Sequence, residues 1–192
     1  MRVILIRHAE TDGNKTRYVG REDLPLNDEG RHQTLYLAAA LHGTRIDIVL
    51  SSPLIRAVST AQPIASERNL SVGVRAGLME IDYGTLQGNL KGESPFSLRK
   101  EHLNAPMPGG ESLRNVWLRL QPVAEEILDA VRLQKTVAVA GHYWSNRMLA
   151  AMLRADLLFR AAVHRPERRP GETGTPRAGP PRGPLWRSWP AK

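Results

Sequence analysis

Val3-Ile4-Leu5-Ile6-Arg7-His8-Ala9-Glu10-Thr11 opens with an apolar run that stops abruptly at charged and polar residues. Four apolar, mostly β-branched residues bounded in this way predict a short buried strand. Downstream, Asn27 is a good helix N-cap, and Leu35, Leu37, Ala38 and Leu41 mark a helix ending near Gly43. Ile46 to Leu50 predicts a second strand. Ser52-Pro53 reads as an N-cap with proline at the first helical position, opening a helix to about Arg68. Val72 to Val74 is a third, weaker strand.

Residues 84–110 are rich in Gly and Pro, with a short helix expected near Phe96–His102. Leu113, Val116, Trp117, Leu120, Ala124, Ile127, Leu128 and Val131 then recur at helical spacing, and Pro122 is expected to kink or divide that helix. Thr136 to Ala140 is a strand and Trp144 to Leu153 a helix. Strands alternating with helices predict an α/β fold, a three-layer sandwich around a mostly parallel sheet.

The 192 residues are 41% hydrophobic and 24% charged, an ordinary globular balance. Residues 1–164 suffice for one domain with a real core. The absence of cysteine excludes disulfides, Cys-type zinc sites, iron–sulfur clusters and thiolate nucleophiles. The apolar run before Arg7 is too short for a signal peptide, and no run approaches a membrane span. A soluble cytoplasmic protein with no membrane partner is the expectation.

The net charge is +8, but residues 165–192 hold seven of the 27 Lys/Arg and two of the 19 Asp/Glu. That leaves only +3 on residues 1–164, so the basic character belongs mostly to the tail. With seven prolines and four glycines, the tail is expected to be disordered and to supply no strand. An uncovered sheet edge would follow.

In open α/β sheets, ligands bind at the carboxyl ends of the strands. Arg7-His8 follows the first strand, Ser51-Ser52-Pro53-Leu54-Ile55-Arg56 the second, and Gly141-His142 the late one. Two histidines and two arginines therefore converge on one rim. A neutral imidazole can attack phosphorus, and guanidinium forks match phosphate oxygens. Such a set is a complete electrostatic site for phosphoryl transfer without metal. Glu80 follows the third strand on the same rim and could protonate the leaving oxygen; Asp82 is its neighbour and rival.

The motifs Leu5-Ile6-Arg7-His8-Ala9-Glu10-Thr11 with Asn14, Gly20-Arg21-Glu22-Asp23-Leu24-Pro25-Leu26 with Gly30, and Ser51-Ser52-Pro53-Leu54-Ile55-Arg56-Ala57 with Thr60-Ala61 occur in that order. Glu80 with Gly84 and Gly88, Pro108-Gly109-Gly110-Glu111-Ser112, and Gly141-His142 with Arg147 follow. Over about residues 2–155 the chain resembles the histidine phosphatase superfamily, in the branch of cofactor-dependent phosphoglycerate mutases and alpha-ribazole phosphatases. The resemblance implies a phosphoglycerate mutase-like fold and a role for each site residue. His8 would be the phosphorylated nucleophile. Arg7, Arg56 and His142 would hold the phosphoryl group, with Asn14 adding a donor. Glu80 would act as acid and then base. Gly20 and the backbone after His142, at Tyr143, would lie near the substrate.

The sequence departs from the family pattern at four places. Ala9 stands for a usual Gly and is expected to crowd the backbone beside the phosphate. Gln87 stands for a common acid. Tyr143-Trp144 replaces small residues and should narrow the pocket, and the tail does not resemble the family's strand near its C-terminus.

A metal-independent phosphomonoesterase acting on a small-molecule phosphate ester through phosphohistidine is the expected function, with no cofactor. A phosphoglycerate mutase is the alternative, disfavoured by the short segment between Gly88 and Pro108. A catalytically impaired relative with a polyanion-binding tail is another. The tail's Trp186 and Trp189 lie among arginines and prolines, but no nucleic-acid motif accompanies them, so nucleic acid is not the expected partner. Oligomeric state stays open, with a dimer one option. His32, His42, His102 and His164 lack metal-ligand spacing and read as surface or structural residues, Gly109-Gly110 as a turn, and Trp117 as core.

Overall fold

The computed structural model describes residues 2–91 and 100–163. In order these form β1 (Val3–Arg7), α1 (Asp28–Ala40), β2 (Ile48–Ser51), α2 (Ile55–Ser66), β3 (Val72–Val74), α3 (Leu113–Arg132), β4 (Val137–Gly141) and α4 (Tyr143–Val163). The chain groups into two compact units, Met1–Leu149 and Ala150–Lys192. The first is described below; the described part of the second continues α4. The predicted tail, with Trp186 and Trp189, lies outside the described residues, as does Phe96. Of the helix expected near Phe96–His102, a 3-10 turn at Lys100–Leu103 is present.

All strand pairings are parallel, in the order β1-β4-β2-β3. Side chains alternate between faces along a strand. Ile6, Val49, Ala138 and Ala140 face α1 and α2, where they meet Ala38, Ala61, Ile64 and Ala65 in one buried cluster. Val137 and Val139 point the other way and are fully buried, and α3 packs on β4 from that side. The result is the expected helix–sheet–helix sandwich. A fully covered strand needs apolar residues on both faces, which is why β4, buried at all of its positions, reads as a continuous apolar run.

The Asn27 side chain caps α1 by accepting from the Gly30 N–H at 2.8 Å. Leu35 does not join the core: it is 62% exposed. Pro122 does not divide α3, which runs unbroken through it. Pro122 lies on the exposed side, so water can satisfy the carbonyl that its missing N–H leaves free.

Ser52-Pro53 does not begin α2. The Ser52 N–H donates to Ala140 O at 3.0 Å, extending the sheet ladder one residue past β2. A residue before proline is pushed away from helical geometry, so the turn to helix waits until Ile55. There the Asp23 carboxylate accepts from the Ile55 N–H at 2.7 Å, serving as a cap from a distant loop. The Ser52 hydroxyl accepts from the Leu54 N–H at 3.3 Å, just ahead of the helix.

Candidate active site

The β1–β4 ladder continues one step beyond the strands, with His8 N–H donating to Gly141 O at 2.9 Å. This aims His8 at the carboxyl rim. Its Nδ1 lies 2.7 Å from Ala9 O. A carbonyl only accepts, so Nδ1 carries the proton and Nε2 keeps its lone pair. Burial, reinforced by the Arg56 and Arg7 charges, lowers the imidazole to about 4, against the raising effect of the Ala9 bond. His8 is therefore a neutral base at ordinary pH.

The Ala9 methyl does not crowd the cleft. Ala9 is buried and absent from the lining, and its N–H donates to Thr60 Oγ1 at 3.0 Å. Backbone bonds to His8 Nδ1 and Thr60 Oγ1 fix the peptides on either side of Ala9.

His142 follows β4, and its ring centroid lies 5.1 Å from that of His8. It has no exposed surface and does not line the cleft. Its Nε2 lies 2.8 Å from Ser52 Oγ. Its Nδ1 is buried without a partner. Burial, helped by the Arg56 charge, holds this imidazole well below its ordinary range.

Arg56 is 1% exposed. Its two terminal nitrogens donate to Glu22 O at 2.5 Å and Gly20 O at 2.7 Å, while Nε has no partner. The fork is thus pinned by carbonyls that leave its charge uncancelled. Gly20 sits at φ +53° in the cleft wall, where a Cβ would meet Gln87 Oε1 at 2.7 Å. A glycine adopts this conformation without a steric penalty. Arg7 is exposed to the cleft with its guanidinium 5.6 Å from the Tyr143 ring centroid. Arg147 lies 5.2 Å from the same ring. An aromatic face orients a cation without neutralising it. Asn14 also lines the cleft, and its Oδ1 is buried without a partner.

Glu80, not Asp82, lines the cleft. Its Oε1 accepts from the Ile81 and Trp144 N–H groups, each at 3.0 Å, and Oε2 from the Tyr143 N–H at 2.9 Å. The carboxyl thus caps the first turn of α4. Burial raises its pKa, opposed by these N–H donors. Asp82 turns away: it accepts from Gly84 N–H at 2.9 Å and pairs with Arg21 at 3.7 Å.

Arg7, His8, Asn14, Gly20, Arg56 and Glu80 border a cleft of about 290 Å³. Tyr143 and Trp144 both line it, as their bulk suggested. Arg17, Tyr18, Tyr83 and Lys91 line it too, although the sequence reading did not single them out. Lys91 reaches Asn14 O at 2.8 Å. The only signal for Arg17 and Lys91 was a cation in an irregular segment. Four lining cations face one carboxylate, Glu80, which makes the cleft an anion receptor. Among the described residues no group of three or more His, Asp or Glu could hold a metal ion. No helix among them is long and apolar enough to cross a membrane.

A parallel α/β sandwich with a cationic cleft and a neutral imidazole at its strand ends suits an anionic ligand. Residues 3–165 match the family model of the histidine phosphatase superfamily, branch 1, and the chain belongs to that family. Phosphoserine phosphatase 1 of Hydrogenobacter thermophilus is 36% identical over 82% of this chain and 78% of that relative. A 2,3-bisphosphoglycerate-dependent phosphoglycerate mutase of Rhizobium etli is 31% identical, over 73% and 74% of the two chains. The solved structure of mycobacterial glucosyl-3-phosphoglycerate phosphatase superposes with a TM-score of 0.67 at 27% identity, covering 84% of each chain.

Proposed function

We propose that the protein is a phosphatase that hydrolyses a small-molecule phosphate monoester through a phosphohistidine at His8, without metal. The observation that carries this reading is the His8 tautomer: Nδ1–H is committed to Ala9 O, leaving an unprotonated Nε2 in a cleft that Arg7 and Arg56 also line. Nε2 attacks phosphorus as the ester P–O bond breaks, and Glu80 gives its proton to the leaving oxygen. Water then attacks the phosphohistidine. Glu80 takes a proton from that water, the P–N bond breaks and the imidazole is restored. Arg7 and Arg56 stabilise charge on the transferring oxygens, with Asn14 near the entering group. Buried His142 acts beside His8 from behind the cleft surface, and Tyr143 and Gly20 shape the substrate side.

Phosphate-ester specificity is the finer question. The relatives named as phosphatases favour water as acceptor, and those named as mutases favour a second hydroxyl. The test is protein quenched during turnover of a phosphate ester in excess EDTA. An acid-labile, base-stable phosphate on His8 with release of inorganic phosphate is expected. Activity lost in EDTA and restored by magnesium or zinc would overturn the metal-free mechanism. Transfer to phosphoglycerate without phosphate release would replace phosphatase by mutase.

A further inference from the structure

The segment between β3 and the Gly-rich stretch carries Glu80, yet it has no sheet or long helix to hold it. Its regular structure is limited to 3-10 turns at Ala76–Leu78 and Gly84–Leu86. Unpaired carbonyls in such a segment need outside donors. Arg119 of α3 supplies them. Its Nη1 donates to Gly77 O at 2.6 Å and Met79 O at 2.8 Å, and Nη2 donates to Glu80 O at 3.0 Å. The remaining donors, Nε and the second Nη2 hydrogen, go to the two oxygens of Glu111, each at 3.0 Å. All five guanidinium donors are used, and three of the acceptors lie within four residues ending at Glu80.

Two further observations place the same clamp. A Cβ on Gly77 would meet Arg119 O at 2.5 Å, so the segment lies directly on α3 at this residue. Glu111 also accepts from Arg21 Nη2 at 2.6 Å and from the Asp82 N–H at 3.2 Å. The backbone on both sides of Glu80 is therefore tied to the Arg119–Glu111 pair, with Arg21 Nε adding a longer contact to Glu80 O at 3.4 Å. Glu80 is only 7% exposed, so a small shift of its backbone would withdraw its carboxyl from the cleft.

We propose that Arg119 is a positioning residue for the Glu80 carboxyl, setting where the proton is delivered. The inference rests on the reading of Glu80 as the acid. A misplaced acid costs most when the leaving oxygen is a poor leaving group. A lysine at 119 keeps the charge but cannot span three carbonyls and a carboxylate.

The experiment compares an alkyl phosphate with p-nitrophenyl phosphate in wild type, Arg119→Lys, Glu111→Gln, Glu80→Gln and the Glu80→Gln/Arg119→Lys double variant. Arg119→Lys is expected to slow the alkyl ester about ten- to a hundredfold more than the nitrophenyl ester. Glu111→Gln, offered in case Arg119→Lys does not fold, should show the same selectivity more weakly. In the double variant, Arg119→Lys should add no further selectivity to that of Glu80→Gln. If Glu80→Gln is selective while the folded Arg119→Lys and Glu111→Gln slow both esters equally, the positioning role is overturned and the acid stands. If Glu80→Gln slows both esters equally, the acid reading itself falls, and this inference falls with it.

Discussion

On the His8 side of the cleft the backbone is held by the sheet; on the Glu80 side it is held by side chains. His8 N–H still pairs with Gly141 O, and Ser52 N–H with Ala140 O, so the strand ends deliver their residues as part of the ladder. Glu80 instead hangs from the Arg119 and Glu111 groups and from the first N–H groups of α4. Ladder positions are fixed by many cooperative bonds. A side-chain clamp is fixed by a few, so single substitutions should reach further on that side.

The largest expected effect is on the ladder side, because it holds the proposed nucleophile. His8→Ala should lower turnover by about 10⁴-fold or more, since residual catalysis then comes only from the cleft's Arg and Lys side chains. Phosphate release assays check this, and undiminished hydrolysis would remove His8 from the mechanism. Next comes Arg56→Ala, which strips one donor from the phosphate and leaves Gly20 O and Glu22 O without their partner. Loss of a preorganised donor should cost about 10²- to 10³-fold in kcat. Unpaired buried carbonyls should cost about 1–3 kcal/mol each, an upper range here because the Glu22 contact is partly solvated. A combined kinetic and melting measurement separates the two effects. Full activity with reduced stability would make Arg56 structural.

Strand ends were legible because an apolar run followed by charge marks both the element and its rim. His8, Arg7 and His142 could thus be placed together before any coordinates. Ser52 was misread, since Ser-Pro looks like a cap until the ladder is seen to extend through it. The Glu80 side was less legible. Glu80 and Asp82 are equivalent in pattern, and the choice is made by N–H groups at Tyr143 and Trp144, more than sixty residues away. Arg119 and Lys91 reach the site only through tertiary folding, which period and composition do not encode.

The neutral His8 gives a pH test of the ladder side. Its pKa lies near 4 in the folded chain, against 6.5 for an unperturbed imidazole. Protonation removes the Nε2 lone pair, so the acid limb of kcat/KM should fall near pH 4 and not near 6.5, after correction for the substrate's own ionisation. The unfolded chain binds the proton first as pH drops. The stabilising contribution of neutral His8 is therefore complete above about pH 6.5 and is lost progressively as pH falls from there toward 4. A kinetic limb centred near 6.5 would mean that His8 is solvated in solution.

The smallest expected effect comes from Ala9→Gly, which restores the small residue common in the family. Ala9 lies between the two walls in sequence but touches neither as a side chain: it is buried and lines no part of the cleft. Its contacts at the site are made by backbone atoms, through the carbonyl that fixes the His8 tautomer and the N–H held by Thr60. Glycine keeps both groups. It loses one buried methyl, worth about 0.8 kcal/mol, and gains backbone freedom worth roughly 0.5–1 kcal/mol in the unfolded chain. Ala9→Gly should therefore lower the melting temperature by a few degrees and leave kcat/KM within about threefold of wild type, because no cleft atom changes. An activity gain above tenfold would mean that the methyl obstructs phosphate after all. A tenfold loss with a small change in melting temperature would mean that the peptide bearing the Ala9 carbonyl needs the side chain to stay aligned on His8.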